Sequence, residues 1–303
     1  MRYGLRLVFF FILLPCVGCQ SNQPVQKSIY EVKPVKSLDL SKFPDTPPSN
    51  PLNLLFIHHS CGGHWLADKG PEDCKDCICK THPNGGGLRR LLEKNNYVVH
   101  EASYNSIIGD KTDILDWPPK FQNQMDRILR TKMQDELLPE GERNQIIMFK
   151  SCFPNNNFPD DKSVTRAMEA YKSLLPIFEK YPDTLFVAVT APPLVRPYET
   201  QNSLKAFVKK LLGRYKDVPS IGRRARYFNN WLKDVESGWL SGYPLKNVVV
   251  FDYYDILTKN GKSNWAEYPT RGGCDSHPSS EGNSVAAREF VPFLNRAVHR
   301  AGI

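Results

Sequence analysis

The chain of 303 residues has no low-complexity tract and no internal repeat, which excludes solenoids, collagen-like arrays and wholly disordered chains. No apolar run is long enough to form a stable membrane-spanning helix; the run from Leu7 to Leu14 falls well short. A formal net charge of +8 comes without any nucleic-acid-binding motif, so the charge by itself argues for no nucleic-acid partner. What is present is an ordinary globular composition, 41% hydrophobic and 24% charged, in a chain long enough for a sizeable core.

The start of the chain stands apart from that core. Arg2 and Arg6 precede the Leu7–Leu14 run, and Cys16-Val-Gly-Cys19 follows it. This resembles the lipobox of bacterial lipoproteins, with Cys16 where a leucine is usual. The resemblance implies that residues 1–19 are a lipoprotein-type signal and that Cys19 is the lipidated residue. The protein would then be exported and held to a membrane by a lipid anchor, facing the periplasm or the cell surface. An ordinary secretory signal cleaved nearby is the alternative, and it also implies export. Residues 20–50 carry Pro24, Pro34, Pro44, Pro47 and Pro48 with no sustained apolar period, and read as a flexible tether. Residues 51–303 read as one folded domain. Its densest basic cluster, Lys209, Lys210, Arg214, Lys216, Arg223, Arg224 and Arg226, reads as a solvated helical face, with anionic headgroups or an acidic polysaccharide as the other possibility.

Within that domain, near-continuous apolar runs alternate with segments of helical period. Strands are expected over 52–58, 97–102, 145–150, 185–190 and 248–253, and helices over 88–94, 121–133, 164–180, 203–215, 223–236 and 282–298. Strands that are apolar on both sides and alternate with helices make right-handed βαβ units, hence an α/β fold with a five-stranded parallel sheet.

Two segments carry the chemistry. The first strand runs into His58-His59-Ser60-Cys61-Gly62-Gly63, which sets Ser60 at the carboxyl edge of the sheet, where open α/β folds place ligands. Asp275-Ser276-His277-Pro278 comes after the last strand and is brought to the same edge. A hydroxyl, an imidazole and a carboxylate are the parts of an acyl-transfer site: a serine needs a base, and the base needs a partner to orient it. Taken singly, Ser60 reads as a helix N-cap, Asn155–Asn157 as a turn and Gly109 as a loop glycine; only their joint order, each behind its strand, points to a site.

In that order the residues resemble the SGNH (GDSL-like) hydrolase superfamily. His58-His59-Ser60 stands where that family has Gly-Asp-Ser, Gly109 matches its second block, Asn155-Asn156-Asn157 stands at the Gly-x-Asn-Asp block, and His277-Pro278 fits its last block. The resemblance implies a flavodoxin-like three-layer α/β/α sandwich. It also implies Ser60, His277 and Asp275 as catalytic residues, and an oxyanion hole from the backbone amides of Gly109 and of Ser60 or Cys61 with the side chain of Asn155 or Asn156. The carboxylate lies one place nearer His277 than the family pattern has it, which leaves Asp252 and Asp255 as other candidates. His59 and Trp65 are candidate substrate contacts; one of His58 and His59 is expected in the core.

Of eight cysteines, Cys61, Cys152 and Cys274 each adjoin a proposed catalytic block and should converge on one sheet edge. Cys74, Cys77 and Cys79 with His82 occupy an inserted loop and read as disulfide-forming in an exported protein; a closed zinc site is the alternative. Neither a cofactor nor a metal is expected. The expected function is an exported esterase or deacetylase acting on an ester, an O-acyl group on a carbohydrate being the class the resemblance implies. The alternative is a lipoprotein of the same fold that binds a glycan or envelope component without catalysis.

Overall fold

The structure, a computed structural model, describes residues 35–197 and 218–303. The expected signal, the lipidation site Cys19, the helix at 203–215 and the basic residues Lys209, Lys210, Arg214 and Lys216 lie outside the described residues. From residue 35 onward, the stretch expected as tether is bonded to the domain. Leu40 is buried in a core, and Asn295 donates its amide to the Asp45 carbonyl at 2.7 Å.

In chain order, β1 (Leu52–Ile57) leads into α1 (Ser60–Leu66), followed by three short strands β2 (Asp68–Lys69), β3 (Asp73–Lys75) and β4 (Ile78–His82). Next come α2 (Leu88–Glu93), β5 (Tyr97–Ala102), α3 (Trp117–Arg130), β6 (Thr131–Met133), β7 (Glu136–Leu137) and β8 (Ile146–Lys150). The remainder is α4 (Asp161–Phe178), β9 (Leu185–Val189), α5 (Val218–Lys233), β10 (Val248–Phe251), α6 (Tyr253–Leu257), β11 (Pro269–Thr270), β12 (Asp275–Pro278) and α7 (Ser280–Ala301).

The main sheet has seven strands in the order β10-β9-β8-β1-β5-β6-β7, which corrects the expected count of five. The five expected strands lie side by side within it and pair in parallel; β6 adds a further parallel strand, and β7 turns back antiparallel to it. The extra strands were hidden because residues 131–133 continue the helical period of α3. Backbone pairing with β5, Glu101 opposite Met133, takes them into the sheet instead.

Alternation along each strand feeds two cores. Leu55 and Ile57 of β1 face Trp117, Phe121, Tyr171 and Phe178 from α3 and α4, while Leu54 and Phe56 face Trp65, Leu92, Phe290 and Leu294 from α1, α2 and α7. Covering both faces explains why these strands are apolar without interruption. In α4 the stripe Val164, Ala167, Tyr171, Leu174 and Phe178 is buried, and Asp160 caps the helix by accepting the Ser163 amide at 2.8 Å. Burying one such phenylalanine contributes about 1.5–3 kcal/mol. The basic face expected over α5 is only partly solvated: Arg226 is buried against Asp255, Thr258 and the Ser263 carbonyl.

Candidate active site

Past Ile57 the His58 amide makes one last backbone bond across the sheet, to the Ala102 carbonyl at 3.0 Å, and side-chain bonds then take over. His58 is wholly buried; its Nδ1 faces the His59 carbonyl at 2.9 Å and its Nε2 faces Glu101 Oε1 at 3.1 Å. The other Glu101 oxygen accepts from the partly exposed Arg89, so a chain of three groups braces the strand end. His59 turns the other way. Its Nε2 donates to the carbonyls of Gly109 and Asp110 at 2.8 and 3.1 Å, and its ring stacks on Tyr104. His59, expected as a substrate contact, is thus committed to tying the nucleophile turn to the Gly109 loop. Burial, partly offset by the Gly109 carbonyl, lowers its pKa, which keeps the ring neutral.

Ser60 is the first residue of α1. The β3–β4 hairpin packs directly on this helix: a Cβ at Gly63 would lie 2.0 Å from the Cys77 carbonyl oxygen, so only glycine fits. Ser60 Oγ is 2.9 Å from His277 Nε2, although 217 positions separate the two in sequence. His277 sits on β12, which pairs with β11 outside the main sheet, rather than in a bare turn. Asp275 Oδ1 accepts from both the ring Nδ1 of His277, at 2.7 Å, and its backbone amide, at 3.0 Å. That pairing places the ring proton on Nδ1 and leaves Nε2 as the acceptor facing the serine hydroxyl. Burial alone would raise the Asp275 carboxyl; the bonds from the His277 amide and ring outweigh it and hold the group below its usual range.

The other two candidate acids are engaged elsewhere. Asp252 pairs with Lys233 at 2.5 Å and caps α6, and Asp255 pairs with Arg226 at 2.5 Å. Asp275 is the one that lies against His277.

The ring of His277 is walled by aromatic neighbours that the sequence did not single out. Phe153 meets it edge-on at 5.0 Å, and His64 lies at 5.4 Å, itself stacked on His82 at 3.6 Å. His64 is one helical turn beyond Ser60, which is the signal that could have found it had α1 been expected. Burial first, then the neighbouring His82 and His277 rings, bring the His64 pKa down to about 3. It is a neutral ring at the edge of the pair.

The expected oxyanion donors fare differently. The Gly109 amide donates to Ser106 Oγ at 3.0 Å, and a Cβ there would lie 2.2 Å from the Ser103 carbonyl oxygen. Asn156 directs its side-chain nitrogen to the carbonyls of Ala191 and Pro192, at 2.8 and 2.9 Å, so neither amide hydrogen is left for an oxyanion. Asn155 donates to Asp113 at 2.7 Å and accepts from the Ile114 amide, which leaves it one hydrogen. Closer to Ser60 are the backbone amides at the start of α1 and the Tyr104 phenol. Trp65 is corrected as a substrate contact: it is completely buried among Phe56, Phe251, Tyr253 and Phe290.

In the inserted loop Cys74 and Cys79 form a disulfide. That removes two of the four groups a zinc clasp would need, and His82 stacks on His64 while accepting the Asn84 amide. Burial pushes the remaining Cys77 thiol up to about 11. Of the three cysteines expected to converge on the site, Cys61 and Cys152 do, their sulfurs 3.2 Å apart; Cys274 is a free, exposed thiol.

No protein-family profile matches the chain, and no curated protein sequence matches it. Among solved structures it is similar to a protein from Bacteroides fragilis assigned as an acylhydrolase, at 13% identity and a TM-score of 0.38 over 84% of this chain and 93% of that one. It is also similar to a family 2 carbohydrate esterase with a carbohydrate-binding domain from Corynascus thermopiles, at 13% identity and a TM-score of 0.40 over 83% and 67%. A third is a family two carbohydrate esterase from Clostridium thermocellum, solved with cellohexaose, at 16% identity and a TM-score of 0.37 over 82% and 65%.

Proposed function

We propose that the protein is a serine hydrolase of the esterase or deacetylase kind, built on a flavodoxin-like strand order. The single observation that carries the reading is the unbroken chain from Ser60 Oγ to His277 Nε2 to Asp275, at 2.9 and 2.7 Å. Ser60 Oγ attacks the ester carbonyl carbon while His277 Nε2 takes its proton, and Asp275 stabilises the imidazolium that forms. The tetrahedral oxyanion is met by the backbone amides of Ser60 and Cys61, with the Tyr104 phenol as a third donor. His277 then protonates the departing alkoxide, and water attacks the acyl-serine by the reverse proton path. The substrate class follows the sequence resemblance: an O-acyl group on a carbohydrate, met by an exported protein anchored at Cys19.

A second reading, a glycan- or envelope-binding protein without catalysis, draws support from the Gly109 amide and Asn156 being committed to structural bonds. Hydrolysis of p-nitrophenyl acetate and labelling by a fluorophosphonate probe separate the two. Ser60→Ala should abolish labelling, and His277→Ala should lower kcat by at least ~10³-fold. Equal labelling of both variants and the native protein would leave only the binding protein.

A further inference from the structure

Two sulfurs that this scheme does not use lie beside its nucleophile. Cys152 Sγ is 3.2 Å from Cys61 Sγ and 3.7 Å from Ser60 Oγ. They belong to separate elements: Cys61 is the second residue of α1, and Cys152 follows the end of β8 by two places. Cys61 is buried, whereas Cys152 is partly open. Lys150, fully buried and paired with no carboxylate among the described residues, lies at the end of the same strand.

The hydrogen bond with the Cys61 thiol outweighs burial and, with Lys150 and the Cys61 amide, holds the Cys152 thiol well below its usual range. Burial drives Cys61 the other way. A partly open cysteine that ionises readily, beside a buried one that does not, is the arrangement of an attacking and a resolving thiol.

We propose that Cys61 and Cys152 are a dithiol–disulfide pair that gates the Ser60 site, closed as thiols and open as a disulfide. The gate rests on the serine-hydrolase reading; the bond itself does not. The oxidant is a low-molecular-weight disulfide. Cys152 attacks one of its sulfurs, forming a mixed disulfide and expelling one thiolate. Cys61 then attacks Cys152 Sγ, and its proton passes to the second thiolate as that leaves. Two protein thiols lose two electrons and two protons, and one small disulfide becomes two thiols. The protein sulfurs need to close by about 1.1 Å to reach bonding distance.

As a thiolate, Cys152 sets negative charge 3.7 Å from the Ser60 oxygen and competes for the Cys61 amide, so a forming oxyanion meets a like charge and loses a donor. A disulfide sulfur is uncharged and a weak acceptor, which returns the amide to the oxyanion. Loss of one such donor lowers kcat by roughly 10²–10³-fold, the size expected for the reduced form.

The test equilibrates the full protein in oxidised and reduced glutathione at graded ratios. At each ratio the disulfides are mapped by mass spectrometry after thiol blocking, and p-nitrophenyl acetate turnover is measured. We expect a Cys61–Cys152 bond to appear in step with a rise in kcat of at least ~10-fold. Cys152→Ala should be fast at every ratio. Sulfurs that remain thiols, a bond from Cys152 to Cys77 or Cys274 instead, or a Cys61–Cys152 bond that leaves kcat unchanged would each overturn the gate. If the bond forms but neither redox state nor Cys152→Ala shows turnover that depends on Ser60, the hydrolase reading and its gate fall together and the disulfide stands.

Discussion

Three histidines around Ser60 are kept neutral by burial, and this makes acid sensitivity a residue-scale property. His64, at about 3, departs furthest, and His59 and His82 are lowered in the same direction. A histidine whose folded pKa lies below its unfolded value of about 6.5 binds fewer protons folded than unfolded. Stability therefore falls as pH drops below about 6.5 and goes on falling until the folded pKa is reached. Each unit of difference is about 1.4 kcal/mol before solvent screening, so His64 contributes on the order of a few kcal/mol to this loss. Asp275 acts only further down, its contribution being lost as pH falls through a carboxylate pKa already below the ordinary range. His64→Asn, which cannot take up a proton, should flatten the decline in Tm between about pH 6.5 and 4. An unchanged slope would mean that His64 charges freely in the fold. At this scale the sequence was informative about chemistry and poor about partners: Ser60, His277 and Asp275 stand behind the proper elements, whereas the bonds that occupy Gly109 and Asn156 come from residues such as Ser106 and Ala191 that no pattern marks.

At the scale of elements, the site depends on a close approach between α1 and the disulfide-closed β3–β4 hairpin. Gly63→Ala would drive a methyl group into the Cys77 carbonyl and push the hairpin off the helix. We expect a loss of about 1–3 kcal/mol in urea unfolding, with a lower kcat because Ser60 shares the displaced helix. A variant as stable and as active as the native protein would show that the contact is slack. The same elements mark where sequence reading stops. The hairpin strands are short and largely polar, with pairing set by a turn and a disulfide rather than by apolar alternation. The α3 segment begins at Trp117, ahead of Pro118 and Pro119, because prolines fit the first turn of a helix, where no backbone bond is lost. Trp65 reads as exposed only while α1 is taken for a turn; once helical, it faces the core.

Over the whole molecule, the five long strands were legible because two-sided burial leaves an uninterrupted apolar signature, and most helices because one buried stripe leaves a repeat every three or four residues. The two halves of the Ser60–His277 pair are nevertheless mounted differently. Ser60 follows a central strand of the main sheet, while His277 and Asp275 ride on the two-stranded ribbon of β11 and β12. That ribbon is held to the body by a few bonds: the Val195 amide to Ser276 Oγ at 3.0 Å, the Asn283 side-chain amide to the Pro278 carbonyl at 3.2 Å, and, just beyond it, Ser280 Oγ to the Gly85 carbonyl at 2.8 Å. Small units with few buried contacts open at lower free energy than the body they rest on. Warming should therefore uncouple the base from the alcohol while the sheet is still intact. Turnover would fade reversibly some degrees before calorimetry records melting, and a loss of turnover that coincides with the calorimetric peak would mean that ribbon and sheet come apart as one.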